Sequence, residues 1–404
     1  MKKVDLAIIG AGPSGAATAI RAATQGVETV VFDRAPYGRD KACGDGLTPR
    51  AVGVLQELGI DLADAHLIEG LRMIAGSTER VLPWPETSRF PAHGAVWPRR
   101  ALDAALIDHA AAAGAEIVWN TEALPEFDGD RVVGVTAGGE VWRARMVVAA
   151  VGAPGKAARM LGAVRVTEEP YGVAIRSYVE SPRHAERYLE ACLTMRDGNG
   201  DTVPGYGWIF PAGDGTVNIG VGALSTMKRF KRLNLNTLLD LYHSHVRDRW
   251  QAGPYLERPR AWRLPMSATR RHGPGWVAVG DAAGLINPMN GEGIDYGLES
   301  GMIAADLFVK DSGTAPVRYD EIVGHQFDAF LRTGRRFSFL IGHPAILNAG
   351  LRLAVGTQAI AGVTLRVMGN LVDSASPGTA GRVLAAADRT LAAADPVLRR
   401  TRAR

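Results

Sequence analysis

The sequence predicts an α/β fold, α+β overall, in which a Rossmann-like dinucleotide-binding domain carries an inserted, mostly antiparallel sheet and is followed by C-terminal helices. A strand, a glycine loop, a helix and a second strand follow one another in the first 34 residues. Another glycine-rich loop follows a short apolar run near residue 280, and the segment between alternates apolar and polar residues. The expected parts are the discontinuous dinucleotide domain at 1–165 and 266–310, with part of 67–98 joining the inserted sheet, that sheet at 166–265, and the helical region at 311–404.

The first unit begins with a short apolar run, Val4–Ile9, that is long enough for a buried strand. Gly10, Gly12 and Gly15 then form G-x-G-x-x-G, which allows a tight turn, close approach to a pyrophosphate and close helix–strand packing. The following helix start offers free N–H groups to phosphates. Asp33 ends the second strand, where an acid accepts hydrogen bonds from ribose hydroxyls. The alternative is an ordinary glycine-rich βα turn.

Composition limits the classes of function. The chain has 404 residues, 47% of them hydrophobic, and a formal charge of +4. The mild basic excess is not interleaved with aromatic residues, so we expect no nucleic-acid partner. The only two cysteines, Cys43 and Cys192, fit a reducing compartment and lack metal-ligand spacing, so we expect no metal site.

The second loop, GDAAGLINPMNGEGI, starts at Gly280 and ends at Ile294. Asp281 follows a predicted strand and is placed to accept from sugar-alcohol hydroxyls, while Gly291 and Gly293 open a helix whose start stabilises negative charge on a reduced ring. Together with the first unit this pattern favours a flavin, and we predict FAD as the cofactor. The alternative is a tight loop with a capping aspartate.

Three motifs together show a family resemblance. The two glycine loops and R-x-x-L-D at Arg99–Asp103 resemble the FAD-binding fold shared by aromatic hydroxylases and geranylgeranyl reductases, over about residues 1–310. The segment Pro204–Pro211 is similar to the geranylgeranyl reductase signature Y-x-W-x-F-P, and an eight-residue spacer and G-x-G at Gly220–Gly222 follow it. The loop Cys43–Leu47 resembles the family's C-G-G-x-L, with Asp45 in place of the second glycine. The 280s loop also resembles that of actinobacterial menaquinone reductases.

The resemblance implies a set of FAD contacts. Arg99 and Asp281 are expected to bind FAD, Gly293 and Ile294 to lie by its pyrimidine edge, and Ala123 to meet the adenine. The family's A-D-G motif is Ala-Val-Gly at 150–152, without the acid. The predicted cofactor-binding residues are Gly10, Gly12, Pro13, Ser14, Gly15, Asp33, Arg34, Gly44, Asp45, Gly46, Arg99, Ala123, Asp281, Gly293 and Ile294.

Three residues are candidates for catalysis. Tyr206 and Trp208 are two residues apart on a predicted strand and therefore share a face. They either line an apolar tunnel that holds a prenyl chain or fill an ordinary core. Cys43 is either a proton donor or a packing residue of the loop beside the flavin.

The resemblance implies an FAD-dependent reductase that saturates an isoprenoid C=C bond, and we favour one isoprene unit of the menaquinone tail. Geranylgeranyl diphosphate, chlorophyll precursors and ether lipids stay open as substrates. The alternatives are an FAD-dependent aromatic or quinone monooxygenase and a non-catalytic prenyl carrier. The expected partners are a polyprenyl lipid or quinone and either NAD(P)H or a reduced electron carrier.

The C-terminal region bears on membrane contact. Its uncharged stretches are shorter than a membrane span, so no transmembrane helix is expected. Leu351, Val355, Ile360 and Val363 are expected on one face of an amphipathic helix, with Arg352, Arg366 and the basic tail 399–404 facing anionic lipid. We therefore expect peripheral contact with the cytoplasmic face of the cell membrane. The alternative is a helical lid on the inserted sheet with a solvated tail.

Overall fold

A computed structural model describes residues 2–153, 155–372 and 378–400, with the backbone alone for 394–400. It shows a mixed α/β protein with a Rossmann-like domain, a second sheet and C-terminal helices, which confirms the predicted fold class. Part of the predicted basic tail, 401–404, lies outside the described residues.

The first sheet is built on Lys2–Ile9, which pairs in parallel with Thr29–Phe32 and with Glu140–Ala149. Residues 6–9, 29–32 and 146–149 of these strands are buried, and their almost entirely apolar sequence is typical of strands covered on both faces. Among the described residues the sheet has eight strands: Lys2–Ile9, Thr29–Phe32, Glu116–Val118, Ala123–Asp128, Arg131–Ala137, Glu140–Ala149, His272–Gly273 and Trp276–Ala278. The helices Pro13–Ala23, Arg99–Ala112 and Ile294–Lys310 pack beside it.

One strand of this sheet has a weak sequence signal. It is Ala123–Asp128, and it begins at the residue expected to meet the adenine. Pro125 within that run weakens its strand signal. The tight turn to Arg131–Ala137 nevertheless lets the two strands pair.

The second sheet has seven described strands: Gly70–Ala75, Thr78–Pro83, Tyr171–Glu180, Tyr188–Cys192, Gly205–Pro211, Thr216–Leu224 and Arg260–Pro265. Neighbouring strands pair antiparallel, except for Tyr188–Cys192 with Gly70–Ala75. Within 67–98, Gly70–Ala75 and Thr78–Pro83 are strands of this sheet, and Gly76 turns the chain between them with φ +62°.

The helix Leu235–Trp250 covers one face of the second sheet. Asn234 caps it by accepting hydrogen bonds from two backbone N–H groups of the first turn. Its buried side chains recur at helical spacing and pack on the sheet: Leu238, Leu239, Tyr242, Val246 and Trp250. The opposite face of the sheet is therefore left for the site.

The C-terminal helices are Ala315–Val323, Ala329–Ile341, Pro344–Ala354, Gln358–Met368 and Gly378–Arg400. The prediction that Leu351, Val355, Ile360 and Val363 share one helix face is wrong, because the chain turns between Ala354 and Gln358 and the two helices are bent by 116°. Gly356 lies in that turn, and the Thr357 hydroxyl caps the second helix. Within the described ranges no single helix is long and apolar enough to cross a membrane, although this bent pair meets those criteria when taken together.

The remaining elements join these layers. A three-stranded sheet consists of Gly46–Leu47, His66–Ile68 and Gly94–Val96. A two-stranded sheet consists of Met195–Arg196 and Thr202–Val203. Two further helices are Pro49–Glu57 and Lys156–Met160.

Candidate active site

A cavity of about 1440 Å³ lies between the first sheet, the second sheet and the C-terminal helices. It is larger than the roughly 300–1,000 Å³ of an ordinary ligand pocket. Most of the predicted site residues line it: Gly10, Gly12, Pro13, Ser14, Asp33, Arg34, Cys43, Gly44, Arg99, Ala123, Tyr206, Trp208, Asp281, Gly293 and Ile294. The other three, Gly15, Asp45 and Gly46, lie behind this lining.

The glycine cradle, defined as Gly10, Gly12 and Gly15, packs tightly at its two ends, and Gly12 faces the cavity with the Arg39 guanidinium 3.2 Å from an added Cβ. A Cβ on Gly10 would lie 2.4 Å from the Ala150 carbonyl oxygen, and one on Gly15 would lie 1.9 Å from that of Gly10. The backbone N–H of Ala11 donates to Asp33 at 2.9 Å, which fixes the acid at the strand end. The helix Pro13–Ala23 has no side-chain N-cap, so its first-turn N–H groups face the cavity without a side-chain acceptor.

Charged groups line the same part of the cavity. Lys41 Nζ lies 3.2 Å from the Asp281 carboxylate. The Arg99 guanidinium is buried and makes two hydrogen bonds to Asp103, at 2.7 and 2.8 Å. Because Asp103 holds Arg99 in place, the R-x-x-L-D motif supplies an oriented cation.

An aromatic wall, defined as Tyr206, Trp208 and Phe210, faces the cavity from the strand Gly205–Pro211. The Tyr206 and Trp208 ring centroids are 5.8 Å apart, and those of Trp208 and Phe210 are 6.2 Å apart. Ile209 alternates to the other face and packs in the core with helix Leu235–Trp250.

The G-x-G motif explains how the indole fits. Gly220 is the cross-strand partner of Trp208, and a Cβ on it would lie 2.1 Å from the indole ring. Gly222 is opposite Tyr206. Gly220 therefore makes room for the indole, whereas a Cβ on Gly222 would make only ordinary contacts, at 3.7 and 3.8 Å.

Two groups near the wall carry protons. Cys43 is partly buried, and burial raises the pKa of its thiol while the nearby Arg99 charge opposes that rise. The Tyr206 hydroxyl donates to the Asn290 carbonyl oxygen at 2.5 Å, and burial raises its pKa. Cys43 is therefore a thiol at neutral pH, and the Tyr206 proton is already engaged.

Sequence reasoning named Asp45 as a cofactor-binding residue but missed the contacts that hold the buried polar groups behind the two loops. Asp45 is fully buried, and burial raises the pKa of its carboxyl to about 6 although Tyr178 and Asn218 donate to it. Burial also raises the pKa of Glu292 to about 7, while the Thr48 hydroxyl donates to that carboxylate at 2.6 Å. Sequence spacing carries no signal for these long-range contacts.

The cavity also continues between the C-terminal helices, which sequence reasoning missed. A rim, defined as Ile346, Leu353, Ile360 and Val383, both lines the cavity and is exposed to solvent, with 43%, 65%, 38% and 46% of the residue surface accessible. Among the described residues no group of three or more His, Cys, Asp or Glu is arranged to hold a metal ion.

Comparison with known proteins gives the family. The FAD binding domain model matches residues 3–310. A menaquinone reductase of Mycolicibacterium smegmatis is 40% identical over 92% of both chains, and a digeranylgeranylglycerophospholipid reductase of Methanopyrus kandleri is 32% identical over 76% of this chain and 80% of its own. The crystal structure of a geranylgeranyl bacteriochlorophyll reductase-like protein from Thermoplasma acidophilum superposes with a TM-score of 0.78 at 23% identity, covering 96% of this chain and all of that one, which shows the shared fold.

The residues present fit FAD. Gly10 and Gly15 allow close packing of strand and helix, the uncapped helix start faces the cavity, and Asp33 and Asp281 supply carboxylates at two strand ends. The chain belongs to the FAD-binding-domain family, in the group of flavoproteins that contains the menaquinone reductases and geranylgeranyl reductases.

Proposed function

We propose that the protein is an FAD-dependent reductase that saturates a carbon–carbon double bond of a polyprenyl chain, and that its substrate is menaquinone, reduced at one isoprene unit of the tail. The observation that carries this proposal is the shared cavity: the glycine cradle, the aromatic wall and the apolar space between the C-terminal helices are continuous. The names of the two relatives, reductases of menaquinone and of a prenyl lipid, support it.

Bound FAD, once reduced, supplies the hydride for such a reaction. The residues of the protein position the alkene and keep water out of the site. An isolated alkene has no carbonyl group to accept charge, so it must be held accurately and water must be excluded. Tyr206, Trp208 and Phe210 offer a flat apolar surface for that purpose.

Hydride addition at one carbon of the alkene requires a proton at the other. Cys43 lines the cavity and keeps its proton at neutral pH, because burial raises its pKa. We assign it as the proton donor. The Arg99 guanidinium lies close enough to stabilise the thiolate that remains, until solvent returns the proton.

The rim is the proposed contact with the membrane. Its four apolar side chains surround the cavity where the C-terminal helices meet, so a chain leaving the bilayer enters without crossing water. Arg352 and Arg366 lie on the same two helices as Leu353 and Ile360 and offer positive charge to anionic lipid. We therefore propose peripheral association with the cytoplasmic face of the cell membrane, through this rim in place of the single helix face expected from sequence.

The electron donor is proposed to be NAD(P)H or a reduced electron carrier. Lys156 is exposed and lines the cavity, so it offers positive charge to a nucleotide or to an acidic protein, and Arg260, which pairs with Asp40 at 3.1 Å, lies on the same cavity. Bleaching of the flavin absorbance by NADPH, NADH or a reduced ferredoxin-type protein distinguishes the donors.

The function is tested with FAD-loaded protein, menaquinone in lipid vesicles and dithionite, under strict anaerobiosis. We expect a product that has gained two hydrogen atoms, measured by mass spectrometry. Trp208→Ala should lower the rate by about 100-fold while FAD stays bound, because the chain loses its positioning surface. The control is Phe127→Ala, an exposed side chain outside the cavity lining.

Two results would replace the proposal. A product that contains added oxygen and forms only in air indicates the monooxygenase. A colourless protein that cannot be loaded with FAD indicates the non-catalytic carrier.

A further inference from the structure

Asp45 occupies an unusual backbone position behind the cavity. Its φ is +63°, a left-handed conformation that glycine adopts freely and aspartate tolerates. The residue is fully buried, and the backbone N–H of Trp97 donates to its backbone carbonyl oxygen at 3.0 Å. A side chain kept at such a position needs a reason beyond the turn, because glycine would make the same turn without a buried carboxylate.

The carboxylate meets three hydrogen-bond donors. Tyr178 Oη donates to Oδ2 at 2.5 Å, Asn218 Nδ2 donates to the same oxygen at 2.7 Å, and the backbone N–H of Arg99 donates to Oδ1 at 3.2 Å. An ionised carboxylate only accepts hydrogen bonds. It therefore fixes which end of the Asn218 amide faces the loop.

The second donor hydrogen of Asn218 reinforces this orientation. Asn218 Nδ2 also donates to the Cys43 carbonyl oxygen at 2.9 Å, so its NH₂ group is turned toward the loop. Its Oδ1 is left to accept from Trp208 Nε1, at 2.9 Å. If the amide were reversed, an NH₂ group would face the indole N–H, and two donors would oppose each other.

The indole has little other freedom. A Cβ on Gly44 would lie 3.3 Å from Trp208 Nε1, and the ring occupies the space left by Gly220. The loop that carries Cys43 and the wall that carries Trp208 are thus joined through Asn218, with Asp45 setting the direction of that link.

We propose that Asp45 is a positioning residue that acts through Asn218 to hold the Trp208 indole, and so decides which double bond of the prenyl chain is presented for reduction. This inference rests on the proposed function for its effect on product. Its structural part, the link from Asp45 to Trp208, is independent of that function.

The test compares Asp45→Gly with Asp45→Asn in FAD-loaded protein. Glycine keeps the backbone conformation and removes the acceptor. Asparagine keeps an oxygen for Asn218 and Tyr178 and turns its NH₂ group toward the Arg99 backbone N–H, so the cost falls on that contact and not on the link to Asn218. We expect Asp45→Gly to slow menaquinone saturation about 10- to 100-fold and to distribute it over several isoprene units, as read by tandem mass spectrometry. Asp45→Asn should restore a single product position and a rate within about threefold of wild type.

A second readout needs no substrate. The eight tryptophans give indole N–H resonances, and Trp208→Phe identifies that of Trp208. This resonance should move or broaden in Asp45→Gly and return in Asp45→Asn. If Asp45→Gly does not fold, Asn218→Ala carries the same test and should give the same mixed products.

Three results would overturn the inference, and a fourth would overturn only the proposed function. An unchanged product and an unchanged resonance in Asp45→Gly overturn the inference, as does an Asp45→Asn variant as defective as Asp45→Gly, because the charge alone would then matter. Loss of FAD from Asp45→Gly would make the residue a scaffold for the loop and would also overturn it. If wild type reduces no prenyl substrate, the proposed function fails, and the resonance alone still decides the link from Asp45 to Trp208.

Discussion

At the glycine-cradle end the backbone lines the cavity, whereas at the aromatic wall the side chains do. The cradle is made by Gly10, Gly12 and Gly15, which lie within six residues of one another. The wall needs Trp208, the space left by Gly220 and the hydrogen bond from the indole to Asn218. The cradle therefore depends on a short local motif, and the wall depends on the register between strands.

The largest effect is expected from a substitution in the glycine cradle. Gly15→Ala places a Cβ 1.9 Å from the Gly10 carbonyl oxygen, so helix and strand must separate. We expect loss of bound FAD and a destabilisation of about 3 kcal/mol, measured by flavin absorbance and urea unfolding. The matched control is Gly362→Ala, where no atom lies within 4 Å of the added Cβ. Full FAD content in Gly15→Ala would contradict the packing argument.

At the wall, two glycines of one motif give a matched pair. A Cβ on Gly220 overlaps the Trp208 ring at 2.1 Å, whereas one on Gly222 meets its nearest atoms at 3.7 and 3.8 Å, an ordinary contact. Gly220→Ala should therefore slow prenyl reduction about 100-fold while FAD stays bound, and Gly222→Ala should have a much smaller effect. Equal losses in the two variants would show that the indole position does not matter.

The loop between the two ends is tested at its thiol. Cys43→Ala removes the proposed proton donor and should slow saturation by about 100-fold, the lower range for a general acid, with FAD retained. The control is Cys192→Ala, whose sulfur lies in the core between the second sheet and helix Leu235–Trp250. An undiminished rate in Cys43→Ala would return the residue to a packing role.

The rim gives a smaller effect. Leu353→Asp places a charge on the most exposed rim residue and should weaken binding to anionic vesicles about tenfold, which corresponds to the burial of one leucine in lipid. The control is Leu241→Asp, which changes a leucine that is 44% exposed on helix Leu235–Trp250, outside the cavity lining. Cosedimentation that falls equally in both variants would remove the rim from the membrane contact.

The smallest effect on activity is expected from titration of Asp45. This titration is measured through the pH dependence of the free energy of unfolding. Burial raises the pKa of this carboxyl from 3.8 to about 6, so the unfolded chain releases the proton first as pH rises. The contribution of Asp45 to stability is therefore present below about pH 4 and lost as pH rises through about 6, a change of about 3 kcal/mol. Asp45→Asn should abolish this part of the slope between pH 4.5 and 8 in urea unfolding. Parallel slopes would mean that the carboxyl is not desolvated.

The cradle could be predicted from sequence because its chemistry is local. Strand, glycines, helix and acid follow one another, and the structure places Gly10, Asp33 and Asp281 on one cavity. The shared face of Tyr206 and Trp208 also followed from strand periodicity. That prediction needed only the alternation of side chains along one strand.

The other contacts join residues far apart in sequence. Asp45 and Asn218 are 173 positions apart, and neither a motif nor a period connects them. At the C-terminus, helical spacing suggested one continuous face from Leu351 to Val363. The turn at Gly356 divides this face, because the two helices are bent by 116°. A periodic pattern continues across such a turn unless the breaker is recognised, and one glycine is a weak signal.

The most direct test is a crystal structure of the FAD-loaded protein with bound menaquinone. We expect the flavin ring and one double bond of the tail to lie within about 3.5 Å of each other beside Tyr206 and Trp208, with the rest of the tail leaving through the rim. A tail bound on the side of the second sheet that faces helix Leu235–Trp250, or a flavin ring separated from the aromatic wall by protein, would contradict it.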